Sequence, residues 1–340
     1  MVHDDFLNLQ QILQAMTLLL NRSDVMSVLT MKDCMKIVEQ AFAEMARGTA
    51  VLPLRTPISP PGGVSLYMPA YLKEMKALAI KVVTIYKENP SRFHYPVVMG
   101  KVLLQDPDSG DVICIMDGGY LTAVRTGAAS GVATRYLARQ NDGQVAAVFG
   151  TGVQARMQML AVAEARKLSG SIVYDISAAS AEKFVEELSP ELDFPVLIAK
   201  DPRELLEADI ICTATSSATP LFDGSMVRAG THINGIGSHS PNARELDTAI
   251  IKRSKFVGDS REACFSEAGD LLIPIKEGAI NESHYYADLG EVITGSKAGR
   301  ENDQEITLFK SNGLAIQDAA TARLVYEKAL QAGVGTRVDI

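Results

Sequence analysis

The sequence predicts a two-domain α/β protein in which a parallel sheet, covered by helices on both faces, is inserted into a β-rich α+β domain. Three observations predict it. Strand-like runs crowd residues 50–118, strands and helices alternate after Gly143, and a long helical pattern at 314–333 follows the alternation and is expected to return to the first domain. Alternation of strand and helix implies right-handed crossovers and a parallel sheet. The expected divisions are an N-terminal extension at 1–26, a first domain of 27–125 plus 315–340, and an inserted domain of 126–314.

A chain of 340 residues is long enough for two domains with a core that needs no disulfide. Hydrophobic and charged contents of 47% and 22% are those of an ordinary globular protein. The net charge of -8 and scattered basic residues give no support to a nucleic-acid surface. Cys34, Cys114, Cys212 and Cys264 lie far apart with no Cys-x-x-Cys pair, so neither a zinc site nor a redox motif is indicated, and the count suits a reducing cytoplasm. No apolar run approaches the roughly 20 residues of a membrane span. The opening MVHDDFLNL lacks the basic segment of a signal peptide, so a soluble cytoplasmic protein is expected, with no membrane partner.

Taken in order, LNLQQILQAMTLLLN has helical spacing and reads either as a docking helix or as the product of an over-long start, with Met26 as the alternative start. Thr30 is placed to cap a helix whose Ile37, Ala41 and Phe42 share one face. LYMPAYL, ALAIKVVTIY, PVVMGKVLLQ and DVICIMD are strand-like, and DPDSG between the last two marks a hairpin through its Pro and Gly. TAVRTGAASGVATRYLAR reads as a helix whose small residues let another backbone or a ligand approach, and QNDG follows it as a linker. Beyond Gly143 come the strand QVAAVF, a helix to about Leu168, the strand SIVYD, a helix from Ala181 to Leu188, and the strands FPVLIA, DIICTAT and THINGI. LAIQDAATARLVYEKALQAG is the last helix.

QVAAVF runs straight into GTGVQA, a Gly-x-Gly-x-x-Ala pattern at Gly150, Gly152 and Ala155. In such a strand–helix turn the first Gly makes the turn, the second lets the backbone approach a pyrophosphate, and the small third residue allows close helix–strand packing. The helix N-terminus adds free N–H groups and the positive end of a dipole. The next strand ends in Asp175, twenty residues after Ala155, where a carboxylate can accept hydrogen bonds from ribose hydroxyls. Ile176, Ser177 and Ala178 follow, with no Arg or Lys to hold a 2′-phosphate, so this Rossmann-type domain is expected to prefer NAD(H) over NADP(H).

Three cations sit where solubility alone would not put them: Lys81 within ALAIKVVTI, Arg125 within TAVRTGAASG, and Arg55 after VLPL. A guanidinium amid Ala and Gly calls for an anion, and its planar fork suits a carboxylate. A lysine in a strand can instead be an edge residue or snorkel. Together the three point to the carboxylate of an amino or keto acid.

MPAY (Met68–Tyr71), LTAVRTGAASG, GTGVQA, THINGIG, GEVITGSKAGR and LFKSNGLAIQD resemble, in order and spacing, the ornithine cyclodeaminase/μ-crystallin family over about residues 27–338. The resemblance implies a homodimer whose β-rich domain, completed by the C-terminal helix, forms the dimerisation and substrate domain. It implies hydride transfer between nicotinamide and the Cα of a small 2-imino or 2-amino acid, as in ketimine reductases, pyrroline-2-carboxylate reductases and alanine dehydrogenases. The family's carboxylate-binding cations fall on Arg55, Lys81 and Arg125. Its cofactor residues fall on Thr126, Gly150, Gly152, Val153, Gln154, Asp175, Thr213, Ser311 and Asn312.

The segment IGSHSPNARELD departs from the family, because His239 stands where the cyclodeaminases and the alanine dehydrogenase branch carry an Asp, and Asn242-Ala243 where Gly-Lys is usual. A neutral imidazole can act as a base near neutral pH but offers no fixed negative charge to a substrate ammonium. This weakens ornithine cyclodeamination, the runner-up, and leaves imine reduction open, with Lys81, His239 or an ordered water supplying the proton. For His239 a proton-handling or substrate-contacting role stands beside that of a plain loop residue. His232 and His239, seven apart with no Cys or clustered carboxylate, do not have metal-ligand spacing, so no metal is expected; His232 is expected to be structural. A non-catalytic nucleotide-dependent binding protein of the crystallin kind is the reading from another class.

Overall fold

The structure, a computed structural model, describes residues 16–339 and divides into two compact units. The first runs to Arg125 and resumes at Ala315, and the second is Thr126–Leu314.

The first unit is built on an eight-stranded sheet. Its strands are β1 (Thr17–Leu20), β2 (Ala50–Val51), β3 (Thr56–Ile58), β4 (Val64–Leu72), β5 (Ala77–Ile85), β6 (Val98–Gln105) and β7 (Val112–Asp117), together with Thr336–Val338. The meander β4–β7 is antiparallel, and residues alternate between buried and half-buried along β5, as one packed face requires. The 106–110 turn closes β6 onto β7 as its Pro and Gly predict. Helix Ala315–Ala332 packs against β4, β5, β6 and helix Met31–Ala46. That second helix starts at the expected cap, where Thr30 accepts a hydrogen bond from the Asp33 amide, and it buries Cys34, Met35, Val38, Ala41 and Phe42.

The helix expected to run through Leu20 is not formed at residues 17–20. Thr17–Leu20 is a strand that pairs in parallel with β7 and antiparallel with Thr336–Val338. Four consecutive apolar or β-branched residues satisfy either structure, and pairing to two partners distant in sequence decides for the strand. Residues 7–15 of the same reading lie outside the described residues. Asn21 then opens helix Arg22–Val28 with a capping box, so Met26 lies inside a helix.

The second unit carries β8 (Gln144–Phe149), β9 (Leu168–Tyr174), β10 (Val196–Ile198), β11 (Ile210–Thr213), β12 (His232–Gly235), β13 (Ser254–Gly258), β14 (Tyr285–Asp288) and β15 (Ile306–Lys310). They form one sheet in the order β10-β9-β8-β11-β12-β15-β13-β14, with every neighbouring pair parallel. Its central strands are apolar on both faces. Ala147, Phe149 and Ile211 enter one core, while Ala146, Val148, Ile210 and Cys212 enter the other. The helix after β8 ends at Ala165, and β9 begins at Leu168, three residues before the strand expected from SIVYD. The chain leaves β8 towards β9 and β10 on one side and returns through β11 and β12 on the other, which makes the C-terminal ends of β8 and β11 a topological switch point. No helix among the described residues is long and apolar enough to cross a membrane.

Candidate active site

A groove of about 760 Å³ lies at that switch point, lined by Gly150–Gln154 after β8, Tyr174–Ile176 after β9 and Ala214–Ser217 after β11. Gly150 has φ +96°, and a Cβ there would lie 2.6 Å from the Ala214 carbonyl oxygen, so the turn itself demands glycine. Gly152 differs. Its φ is -78°, which any residue adopts, and a Cβ there would meet nothing within 4 Å. Its bareness is therefore not required by packing, and it leaves open the approach to the N-terminus of helix Val153–Ala165. Ala155 is fully buried against the sheet. Gln154 lines the groove with its Oε1 buried and without a hydrogen-bond partner among the described residues.

Asp175 closes the far end. Its Oδ2 accepts from Thr151 Oγ1 at 2.8 Å and its Oδ1 from the Ser177 amide at 2.9 Å, which fixes the carboxylate beside the groove. Ile176 next to it is 96% exposed, and the groove lining contains no Lys or Arg. A helix N-terminus, an unblocked glycine and a terminal carboxylate fit a dinucleotide.

Thr126, Thr213, Ser311 and Asn312 do not line the groove. Thr126 is buried, and its carbonyl accepts from Gln158 Nε2 at 3.5 Å. The adjacent Gly127 would place a Cβ 2.5 Å from the Met157 carbonyl oxygen, so the small residues of helix Gly118–Leu137 admit a neighbouring backbone. Thr213 donates to Glu245 at 2.7 Å, and Glu245 also accepts from the Thr215 amide, the Thr215 hydroxyl and the Gly237 amide. One buried carboxylate thus ties the groove loop after β11 to the loop after β12. Asp259 does the same for the turn after β15, accepting from the Asn312 amide at 2.6 Å, the Gly313 amide at 2.8 Å and Ser311 Oγ at 3.2 Å. Neither Glu245 nor Asp259 is among the residues that the sequence singles out.

In the first unit the structure brings Lys81 and Arg125 onto a shared carboxylate. Lys81 Nζ lies 2.7 Å from Asp318 Oδ2, and Arg125 Nε donates to Asp318 Oδ1 at 2.9 Å. Arg125 Nη1 donates to Gln317 Oε1 at 2.5 Å. Arg55, between β2 and β3, is half-buried and close enough for its charge to act on Lys81. Burial first, then the Arg125 charge, push Lys81 down to about 7, while Asp318 opposes them. The anion that the sequence called for beside Arg125 is supplied in part by the protein, from a residue that the sequence reading did not pick. Its signal is slight: a lone acidic residue on the apolar side of the last helix.

The two histidines of THINGIGSHS part company. His232 is wholly buried, with Nδ1 3.0 Å from Thr307 Oγ1 and Nε2 3.2 Å from Asn234 Oδ1. Burial and then the Arg300 charge hold it down at about 3, so it is a neutral core residue. His239 is exposed on a loop fastened from below. Buried Lys310 reaches the Ser238 carbonyl at 2.5 Å and Asp270 at 2.9 Å, Asp270 accepts from the amides of Glu245 and Leu246, and Ser238 Oγ donates to the Ala243 carbonyl.

Comparison with known proteins agrees with this layout. The ornithine cyclodeaminase/mu-crystallin family profile matches residues 15–333. A Δ1-pyrroline-2-carboxylate reductase of Bacillus cereus is 37% identical over 326 residues, which is 95% of this chain and 99% of that protein. The Δ1-pyrroline-2-carboxylate reductase of Thermococcus litoralis, solved with NADH and L-proline, superposes with a TM-score of 0.91 at 48% identity, covering 95% of this chain and all (100%) of that one. An archaeal alanine dehydrogenase, solved as a dimer with bound NAD, superposes with a TM-score of 0.90 at 36% identity, covering 95% and 99%. The chain belongs to the ornithine cyclodeaminase/mu-crystallin family.

Proposed function

We propose that the protein is an NAD(H)-dependent imine reductase that reduces a small cyclic 2-imino acid, Δ1-pyrroline-2-carboxylate first among them, to the 2-amino acid. The observation that carries this reading is the pairing of two built sites in one chain: a dinucleotide groove, and a buried cation cluster suited to a carboxylate. The bound nicotinamide supplies the hydride. Gly152, Val153 and Gln154 present the helix N-terminus to the pyrophosphate, and Asp175 takes the ribose hydroxyls. Asp175 together with a groove lacking Lys and Arg favours NADH over NADPH, because a 2′-phosphate beside a carboxylate is repelled with no cation to offset it.

Arg55 and Arg125 orient the substrate carboxylate, and Lys81 sits with them in a water-poor cluster where charge contacts are strengthened. Hydride addition at the imine carbon leaves the nitrogen needing one proton, for which Lys81 is the donor and His239 or a water the alternative. A homodimer fits the surface of the first unit. Ile58, Phe93, Tyr95 and Val98 are each more than half exposed. They gather at one end of its sheet, where Ile58 pairs with Ser65 and the adjacent Val64 pairs with Ile85, itself paired with Val98.

The test is NADH absorbance with purified protein and Δ1-pyrroline-2-carboxylate, Δ1-piperideine-2-carboxylate, and pyruvate with ammonia. Oxidation with a cyclic imine supports the reading, and preference for pyruvate with ammonia moves the protein to the alanine dehydrogenase branch. NADH left unconsumed across the panel would remove the reductase reading.

A further inference from the structure

Lys81 and Arg125 do not await a substrate carboxylate bare, because Asp318 engages both. Asp318 and Gln317 come from the first turn of helix Ala315–Ala332, which packs across β4, β5 and β6 and so fixes the carboxylate relative to the strand that carries Lys81. The side chains of Lys81 and Asp318 are 1% exposed and that of Arg125 is 5% exposed. An ammonium this deep beside a guanidinium is costly to keep charged unless an anion touches it.

We propose that Asp318 is a positioning residue for the reaction: by bridging Lys81 and Arg125 it holds the Lys81 ammonium in place as proton donor to the substrate nitrogen and leaves the substrate carboxylate to the arginines. The inference rests on the imine-reductase reading above. In the step itself, hydride adds to the imine carbon and the C=N π pair takes a proton from Lys81. Amine and neutral lysine result, and the lysine is recharged from water. With its carboxylate contact already made by Asp318, Lys81 needs no substrate carboxylate to hold it. Its remaining N–H bonds serve proton transfer.

The groups that face Lys81 are Arg125 from helix Gly118–Leu137, Asp318 from the last helix and Arg55 from the β2–β3 connection. Cys34, from helix Met31–Ala46, faces the same cluster, but burial pushes its thiol up to about 12 and keeps it neutral. Asp318 is the one group of these that favours the charged lysine. Removing its charge moves the proton off Lys81 at a lower pH.

The experiment is the pH profile of kcat/KM for NADH-dependent reduction of Δ1-pyrroline-2-carboxylate by the full chain, wild type and Asp318→Asn. Wild-type activity is expected to fall as pH rises through about 7, where Lys81 loses its proton. In Asp318→Asn that fall should move to lower pH by about 1–3 units, the usual effect of one contacting opposite charge. An activity lowered equally at every pH, with the midpoint unmoved, would show a merely structural role and overturn the proposal. Lys81→Arg keeps Asp318 paired but cannot release a proton, and it tests the same claim if the asparagine variant does not fold. It should lose about 100-fold or more in kcat with KM little changed. A raised KM with kcat retained would make Lys81 a carboxylate clamp and refute the assignment. If the wild type itself does not oxidise NADH, the functional reading fails instead.

Discussion

Replacing Gly152 by alanine is expected to spare the fold and damage nucleotide binding, whereas the same change at Gly150 should cost stability as well. The two glycines lie two residues apart in one loop, yet they are bare for different reasons. At Gly150 a methyl group would stand 2.6 Å from the Ala214 carbonyl oxygen with φ at +96°. The left-handed backbone costs about 1–2 kcal/mol and the overpacking a further ~1–3. A sum of roughly 2–5 kcal/mol corresponds to a fall in Tm of roughly 5–20 °C for a unit of this size. At Gly152 the methyl meets nothing within 4 Å, so the loss should stay below about 1 kcal/mol, mostly from a helix N-cap position. The methyl instead occupies the space through which a pyrophosphate reaches the amides. Losing one charge-assisted hydrogen bond costs about 1.5–3 kcal/mol, or roughly 10- to 150-fold in Kd. Thermal melting and an NADH fluorescence titration on both variants separate the effects. Wild-type NADH affinity in Gly152→Ala, or a Tm loss there equal to that of Gly150→Ala, would show that the two glycines do not differ in this way.

Lys81→Ala and Arg125→Ala should each lower kcat/KM for the imine by about 100-fold or more while leaving NADH affinity within a few-fold, which steady-state kinetics and titration would check. Asp175→Asn should weaken NADH and narrow its advantage over NADPH; an unchanged ratio would remove Asp175 from cofactor selection. His232, neutral in the fold with its value near 3, takes up a proton on unfolding below its ordinary 6.5, so stability should decline as pH falls from 6.5 towards 3. Its share reaches about 1.4 kcal/mol per pH unit, and His232→Gln should flatten the decline in urea titrations at pH 6 and 4.5.

The parts of the fold that depend on local patterning were legible. QVAAVF followed by GTGVQA reads as strand, turn and helix because a strand buried on both faces is uniformly apolar and a phosphate turn needs its glycines at fixed spacing. The capping threonine at 30 and the hairpin at 106–110 are local in the same sense. Thr17–Leu20 was not legible as a strand, because its partners, residues 114–116 and 336–338, lie far along the chain. β13, β14 and β15 are four or five residues long and carry Ser, Lys, Thr and Asp, so no clean period marks them.

At the site, the glycine loop and the three cations could be named from sequence because each breaks its surroundings: glycines after an apolar strand, charges within apolar or small-residue runs. The carboxylates that organise them could not. Glu245 and Asp259 lie in ordinary polar contexts, Asp318 is a lone acid on the apolar side of its helix, and only folding brings the three to buried donors 32, 53 and 193 residues away. His239 was legible as a departure in residue type and not as a role, since the loop that carries it is positioned by Lys310 and Asp270 from other elements.

The proposed reaction is direct hydride transfer between nicotinamide and the α-carbon of a carboxylate-bearing imine. Reduction of Δ1-pyrroline-2-carboxylate with NADH deuterated at C4 on the transferred face, followed by NMR of the product, traces the hydride itself. Direct transfer gives proline carrying one deuterium at Cα, formed in step with NADH loss. Proline formed without that deuterium, or NADH consumed with no proline formed, would contradict it.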